Sequence, residues 1–563
     1  MKRNKWLKMK KSSFIEGTVI ATAAIVITKI LGMLYVIPFY AIIGVQGSAL
    51  YAYAYNIYVI FLDISSAGLP VAISKIIKEY NTLGMMDAKV RAYKVGKKII
   101  SFISVAAFIV LFLFAENLAT LILGDLQGGN TIADVTFVIR CVSFAILVIP
   151  FLSVSKGYLQ GHNIINVSSI SQVIEQVVRI TVILGGSYLG LKVLNLSLTT
   201  SVGIAVFGAF AGGLAAILYI VYNLRKHKKE LGFEGVQKKD KITNKEILKK
   251  LATYAIPFII IDVAVSLYNF VDMVLISRTM TYLGFDAATT EFVTSSVATW
   301  AGKINVIVNS IAMGLTVSLI PNIVEAFTLK KWKLVEGRLN KAIQIILVVC
   351  IPMVIGIAML SKPIWSIFYG TSELELGGLV LAVSIFGALF YNIYMITSST
   401  LQSLNKFKAV YFTTLLGYIA NAVLDVPFML FFNWIGVEPF VGAIIASITG
   451  YTLSYGTALF ILKKDHQIKY KETVKMLGKI ILPTICMIVV VLGIKLILPV
   501  NYYSKTSCII YVAIIAIFGA AVYLFIAYKK GLLQEIFGQE YLNKILNKLT
   551  FGKLKLQEKN TTE

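Results

Sequence analysis

The chain has 563 residues, 58% hydrophobic and 14% charged, with a mean hydropathy of +0.80 and a formal net charge of +25. Soluble domains are about 45–50% apolar and about 25% charged, so a soluble enzyme is excluded: this much apolar surface has only lipid to go into. The basic surplus lies between apolar runs, which suits topology signals and contacts to anionic membrane lipids better than a nucleic-acid surface.

The N-terminus, Met1 to Lys11, is crowded with Lys and Arg and precedes a long apolar run. That resembles the charged region of a signal peptide, but the run over 17–43 is too long for one and reads as an uncleaved first span. A helix needs roughly 20 mainly apolar residues to cross the hydrocarbon core. Fourteen segments meet that need, at 17–43, 49–71, 99–123, 135–156, 165–190, 198–224, 253–279, 293–321, 342–369, 377–400, 410–434, 439–462, 480–499 and 507–528. Internal Gly and Pro, frequent here, are tolerated in membrane helices.

Basic clusters at 2–11, 75–98, 225–250, 330–341, 463–479 and 529–559 fall in alternate connections and in both tails. The remaining connections are short, such as Gly44–Ala49, or acidic, as at Glu373 and Glu375. By the positive-inside rule the spacing predicts a multi-pass protein of the cell membrane with both termini cytoplasmic.

An internal repeat is visible. Gly68-Leu69-Pro70-Val71-Ala72-Ile73, with Ile77 and Glu79, is echoed by Gly314-Leu315-Thr316-Val317-Ser318-Leu319, with Ile323 and Glu325, at an offset of 246 residues. Leu159-Gln160 and Asn163 are echoed by Leu401-Gln402 and Asn405. The repeat unit is six spans in parallel orientation, and the fold class expected is an all-α membrane protein of 14 transmembrane helices. Two pseudo-symmetric six-helix lobes would surround a central cavity, an architecture of transporters. The expected divisions are an N-terminal lobe over 1–224, a basic linker over 225–252, a C-terminal lobe over 253–463, two further spans within 464–528, and a tail over 529–563. In that tail Leu532, Leu533, Ile536, Phe537, Tyr541, Ile545 and Leu549 recur every three to four residues, the pattern of an amphipathic helix on the inner leaflet; a partly disordered tail is the alternative.

A charge near the bilayer centre costs roughly 2.5–3.5 kcal/mol on insertion scales, so it normally faces water or a partner. Lys29 lies mid-way along the first span, sharing a stripe with Thr18, Thr22 and Tyr40, and Lys303 lies in the eighth with Ser296, Thr299, Ser310 and Gly314. Both read as cations of a wet cavity, or else as partners of structural acids. The second span presents Tyr53, Asn56, Asp63 and Pro70, and the seventh Asp262, Ser266, Asn269 and Asp272. Asn56, Asp63, Asn269 and Asp272 are expected to line a substrate cavity with Lys29 and Lys303, while Asp262, Glu175, Arg179 and Asp425 are expected as accessory polar or ion-coupling residues; the acids would bind a coupling cation or neutralise the lysines. In the fifth span Glu175 and Arg179, beside Gln172, are spaced to pair within one helix, and Asn421 with Asp425 makes a weaker polar patch in the eleventh.

Cys141, Cys350, Cys486 and Cys508 are dispersed within apolar runs, with no metal or disulfide spacing. His162, His227 and His466 fall in connections, leaving no histidine proton relay inside the spans. There is no GxxxxGK[ST] loop, HExxH or GxSxG, so neither ATP as the direct energy source nor the common hydrolytic enzymes are indicated.

Lys29-Ile30-Leu31-Gly32, with Pro38 and Gly44, resembles a first-span [Arg/Lys]-x-Leu-Gly signature of polysaccharide transporters, a branch of the multidrug/oligosaccharidyl-lipid/polysaccharide exporter superfamily. Ala67-Gly68-Leu69-Pro70, Gly157-Tyr158-Leu159-Gln160-Gly161, and Gln172-Val173-Ile174-Glu175-Gln176 with Arg179 look like its Gram-positive branch, which holds lipid II flippases and stage V sporulation protein B relatives. The resemblance implies alternating access by two lobes that flip an undecaprenyl-diphosphate-linked sugar outward, with Lys29 and Lys303 at the family's cationic positions in spans 1 and 8. Two positions depart from it: Asp63 stands near a family arginine in span 2, and Tyr35 replaces a second arginine of span 1. The remaining expectations are a monomer, no cofactor, and coupling to sodium, protons or the membrane potential. A cation-coupled multidrug exporter of the same superfamily is the alternative, and a membrane-embedded glycosyltransferase or polymerase stands third, because the outer connections are short.

Overall fold

The computed structural model describes residues 14–66, 68–228, 231, 233, 240–539 and 542–543. Among the described residues every regular element is a helix. That follows from the apolar runs, since a backbone in lipid must satisfy its N–H and C=O groups within its own segment. Helix packing divides the chain into two compact units: Met1–Lys303 with Tyr418–Ser447, and Ile304–Gly417 with Ile448–Glu563.

The first unit opens with α1 (Phe14–Leu34) and α2 (Val36–Ser66). Gly44, at φ 67°, ψ −170°, bends α2 sharply and separates the first two expected spans. Gly68, at φ 68°, then splits α2 from α3 (Leu69–Thr82). A Cβ there would stand 2.6 Å from Cβ of Phe258 and 2.8 Å from the Ala255 carbonyl oxygen, so glycine is needed both for its dihedrals and for its size. There follow α4 (Met86–Leu113), α5 (Ala115–Leu123), α6 (Ile132–Ser143), α7 (Ile149–Gly161), α8 (Ile165–Tyr188) and α9 (Leu198–Lys226). Thr131 and Asp134 form a capping box at the start of α6, and Thr243 and Glu246 do the same for α10 (Asn244–Tyr282). Glycines let α8 and α9 approach closely: a Cβ at Gly212 would lie 2.5 Å from the Glu175 carbonyl oxygen and 3.0 Å from Cβ of Arg179. That contact fixes how α8 is rotated.

The end of α5 and its connection to α6 are tied to α10 and to α11 (Ala287–Ser295). Arg278 donates to the carbonyls of Leu121 (3.0 Å) and Thr120 (2.9 Å). Asn130 donates its backbone N–H and its Nδ2 to Glu291, at 2.6 and 2.9 Å. One π turn, Ser296–Trp300, joins α11 to α12 (Ala301–Thr328), and Lys303 is the last residue of the first unit.

The second unit carries most of α12, then α13 (Trp332–Met359), α14 (Ser361–Tyr369), α15 (Leu374–Ser403), part of α16 (Phe407–Trp434) and α17 (Pro439–His466), and α18 (Lys471–Ile497), α19 (Lys505–Lys529) and α20 (Leu532–Phe537). Leu532, Leu533 and Ile536 of α20 are buried. Glu535 pairs with Lys479, and its carbonyl accepts from Lys341 at 2.5 Å. Of the expected tail helix, Tyr541, Ile545 and Leu549 lie outside the described residues.

Twelve helical stretches among the described residues are long and apolar enough to cross a membrane, against fourteen expected. The difference has two sources. The stretch Ala24–Thr82 runs through the bends at Gly44 and Gly68 and counts once where two spans were expected, and α12, at the expected eighth span, is not among the twelve.

The repeat has structural content at its second echo. Asn163 and Asn405 both adopt positive φ, at 60° and 56°. Ile164 N–H donates to the Leu159 carbonyl and Lys406 N–H to the Leu401 carbonyl, each at 2.9 Å. These are the same helix C-cap, with Asn in the left-handed position. The first echo diverges: Gly68 breaks a helix, whereas Gly314 lies inside α12.

Candidate functional site

Tyr55 of α2 is the centre of a polar cluster in the first unit. Lys303 Nζ lies 4.9 Å from the centre of its ring, and the Arg179 guanidinium 5.6 Å. Lys29 of α1 lies in electrostatic range of the same phenol. Tyr51 stacks on Tyr55 (5.6 Å, 11°) and on Trp300 (5.9 Å, 29°), and its hydroxyl is 3.4 Å from that of Tyr35. Tyr51 and Trp300 are buried, Tyr55, Arg179 and Lys303 half-buried, and Lys29 exposed. Among the described residues no carboxylate lies within ion-pair distance of Lys29, Lys303 or Arg179. Cation–π attraction supplies about 0.5–2 kcal/mol per contact, which does not cancel the mutual repulsion of three like charges at low dielectric. Charges so placed in a membrane protein ordinarily face water or a partner.

The other expected residues separate by role. Asn56 is buried and donates to the Ala52 carbonyl (2.9 Å) and to Thr299 Oγ1 (2.8 Å), fastening α2 to the π turn. Tyr40, expected on the Lys29 stripe, is buried edge-on against Trp300 at 5.4 Å. Ser266 donates its hydroxyl to Asp63. Asp262 is exposed and in electrostatic range of Asp63, and Asn269 is exposed on the same helix. The expected pairing of Glu175 with Arg179 is corrected: Glu175 accepts instead from Lys156 of α7, at 2.8 Å. A nearby ammonium satisfies the carboxylate without bending Arg179 back along its own helix.

Asp272 belongs to a second cluster, away from the lysines' expected role. Asn421 Nδ2 donates to Asp272 Oδ1 (3.0 Å) and to Asp425 Oδ1 (3.1 Å), and the Ser447 hydroxyl donates to Asp272 Oδ2 (2.8 Å). Asp425 and Asn421 are fully buried, the Asp272 and Asp425 carboxyls lie within hydrogen-bonding reach of each other, and among the described residues Asn421 Oδ1 has no hydrogen-bond partner. Two buried carboxylates sharing one amide donor stay ionised together only with a cation between them; without one they share a proton. The carboxylate, amide and hydroxyl oxygens of this cluster are a donor set that fits a small hard cation.

Sequence reasoning missed Tyr55, Lys156, Trp300 and Ser447. Tyr55 sits in a run with Tyr51, Tyr53 and Tyr58, all buried, and no periodic signal marks which of the four reaches the open side. Lys156 was countable as a cation near the end of the fourth span, 19 residues before Glu175.

Comparison with known proteins agrees with this architecture. The polysaccharide biosynthesis protein profile matches residues 14–327, and the MatE profile residues 257–426. The chain is 33% identical over 536 residues to the lipid II flippase MurJ of Bacillus subtilis (strain 168), covering 94% of this chain and 97% of that protein. It is 25% identical over 421 residues to stage V sporulation protein B of the same organism, covering 74% and 78%. Among solved structures, lipid II flippase MurJ in an inward closed conformation superposes with a TM-score of 0.66 at 17% identity, over 92% of this chain and 99% of that one. An inward-facing multidrug resistance MATE family transporter gives 0.59 at 16%, over 79% and 96%. The chain is therefore a multi-pass membrane transporter of the cell membrane, and it belongs to the polysaccharide biosynthesis protein family within the MOP superfamily.

Proposed function

We propose that this protein flips an undecaprenyl-diphosphate-linked sugar precursor, lipid II or a related cell-envelope unit, from the inner to the outer leaflet by alternating access of its two six-helix lobes. The supporting observation is the pair Lys29 and Lys303, the second 4.9 Å from the Tyr55 ring and the first within electrostatic range of its phenol, without a carboxylate partner among the described residues. A travelling diphosphate loses its hydration in the membrane, and charge-assisted contacts from two ammonium groups offset that cost. A transporter of organic cations would gain nothing from them. The prenyl tail can stay in lipid. An apolar cavity of about 420 Å³ in the second unit, lined by α13, α18, α19 and α20 and including Pro352, Met487, Tyr523 and Phe537, offers it a path.

Coupling is assigned to the Asp272–Asn421–Asp425–Ser447 cluster. Binding a sodium ion or a proton there changes the charge held between α10, α16 and α17, so an ion gradient can bias one conformation over the other. Asp63, Asp262 and Asn269 are polar lining on this reading, and the protein works as a monomer with both termini cytoplasmic.

The test is flipping of a fluorescent lipid II analogue in proteoliposomes. Lys29→Ala and Lys303→Ala are expected to abolish transport while inserting normally. Full activity in both variants refutes the cationic headgroup site.

A further inference from the structure

We propose that Arg179 is a third headgroup-binding cation and the residue that makes the site prefer a polyprenyl diphosphate to a polyprenyl monophosphate. The inference rests on the reading of the Tyr55 cluster given above and adds a residue and a selectivity to it. An arginine one helical turn after a glutamate is ordinarily neutralised by it. Here Glu175 is engaged by Lys156 at 2.8 Å, and the Arg179 guanidinium sits instead among the phenols of Tyr35, Tyr51, Tyr55 and Tyr58. Arg179 donates one hydrogen bond to the Tyr55 hydroxyl, and phenols are neutral donors and acceptors rather than fixed anions, so the guanidinium stays a cation and keeps its remaining N–H donors inside a half-buried aromatic enclosure.

The position is rigid as well as charged. Gly208 and Gly212 of α9 press on α8 at Arg179: a Cβ at Gly208 would lie 3.0 Å from the Arg179 carbonyl oxygen. Arg179 and Lys303 come from different helices, α8 and α12, and converge on one ring. The guanidinium is a planar fork that matches two phosphoryl oxygens at once, whereas an ammonium is a point charge. A fork and a point charge at one site suit two linked phosphoryl groups better than one. The span 2 helix, which carries Asp63 and no cation of its own near the cluster, presents Tyr55 as the surface against which Arg179 is held.

The experiment uses the full-length protein in nanodiscs, with undecaprenyl diphosphate, undecaprenyl monophosphate and inorganic pyrophosphate as separate probes, and affinity read by titration. The wild type is expected to favour the diphosphate lipid. Arg179→Gln is expected to lose roughly ten-fold in affinity for that lipid and little for the monophosphate, and Arg179→Lys to recover part of the loss. Glu175→Gln is expected to leave the preference intact. If Arg179→Gln keeps the preference, or if adding Glu175→Gln to it restores binding, Arg179 only balances charge and the inference fails. Should Arg179→Gln not insert, Arg179→Lys carries the same test, and unchanged discrimination in it overturns the inference. Loss of affinity in Lys29→Gln and Lys303→Gln but not in either Arg179 variant sinks this inference alone. No loss in any of the three positions sinks the headgroup site itself. Inorganic pyrophosphate binding as tightly as the lipid would show a free-anion site and also overturn the proposal.

Discussion

Replacing Lys156 by Met tests the arrangement without touching the Tyr55 cluster. In the native protein Lys156 holds Glu175 at 2.8 Å, and the two side chains are 17% and 21% exposed. Without Lys156 the carboxylate has a cation within reach on its own helix, Arg179, at the i,i+4 spacing where Cβ atoms are about 5–6 Å apart. Two unit charges about 4 Å apart attract by about 4 kcal/mol at an effective dielectric of 20. Ordering two long side chains and partial solvent screening reduce the net gain, leaving about 1–2 kcal/mol that a substrate must overcome to recapture Arg179. That is a weakening of roughly 5–30-fold in affinity for undecaprenyl diphosphate. Titration of Lys156→Met in nanodiscs measures it, and Lys156→Met/Glu175→Gln, which removes the competing carboxylate, should restore native affinity. Two results would refute the reasoning: binding within two-fold of native in the single variant, or no recovery in the double. The second would mean that Lys156 contacts the substrate itself.

Three further predictions rest on other parts of the structure. Asp425→Asn leaves the buried cluster with one carboxylate, so flipping should lose its dependence on sodium or pH and slow at least ten-fold; initial rates across both gradients in proteoliposomes measure this. A Cβ at Gly157 would stand 2.6 Å from the Pro70 carbonyl oxygen, so Gly157→Val should destabilise by about 1–3 kcal/mol through overpacking, seen as a lower Tm in detergent. Burial raises the Asp134 carboxyl, but hydrogen bonds from the Thr131 and Thr199 hydroxyls and from the Thr131 N–H outweigh it and hold the group below its ordinary range. A depressed carboxyl contributes stability above the unfolded value, near pH 3.9, and loses it as pH falls through the folded one. Asp134→Ala should therefore cost about 1 kcal/mol at pH 7 and flatten the acid limb of a Tm-against-pH curve below pH 4.

The sequence made the helices legible because lipid imposes one rule on every span, and it made Lys29 and Lys303 legible because a lone cation in an apolar run is conspicuous. Partner choice was harder. Glu175 and Arg179 looked like a pair because i,i+4 geometry is readable within one helix, while Lys156 reaches Glu175 from another. By position along the chain Asp272 reads as cavity lining beside the lysines and Asn421 with Asp425 as a separate, weaker patch, although one amide joins all three. The 149 residues between Asp272 and Asn421 hide that contact from any local pattern. Bends were the remaining gap: Gly44 and Gly68 divide the first long stretch, yet their positive φ values follow from tertiary packing that no composition window reports.

The π turn at Ser296–Trp300 has a geometric consequence for Lys303. Such a turn accommodates one surplus residue relative to regular winding, so everything after it is offset by about 100° around the axis. Delete that single residue and the ammonium swings to a neighbouring flank, away from Tyr55, though composition and hydropathy barely change. The compass bearing of the α12 charge is thus set by a one-residue shim.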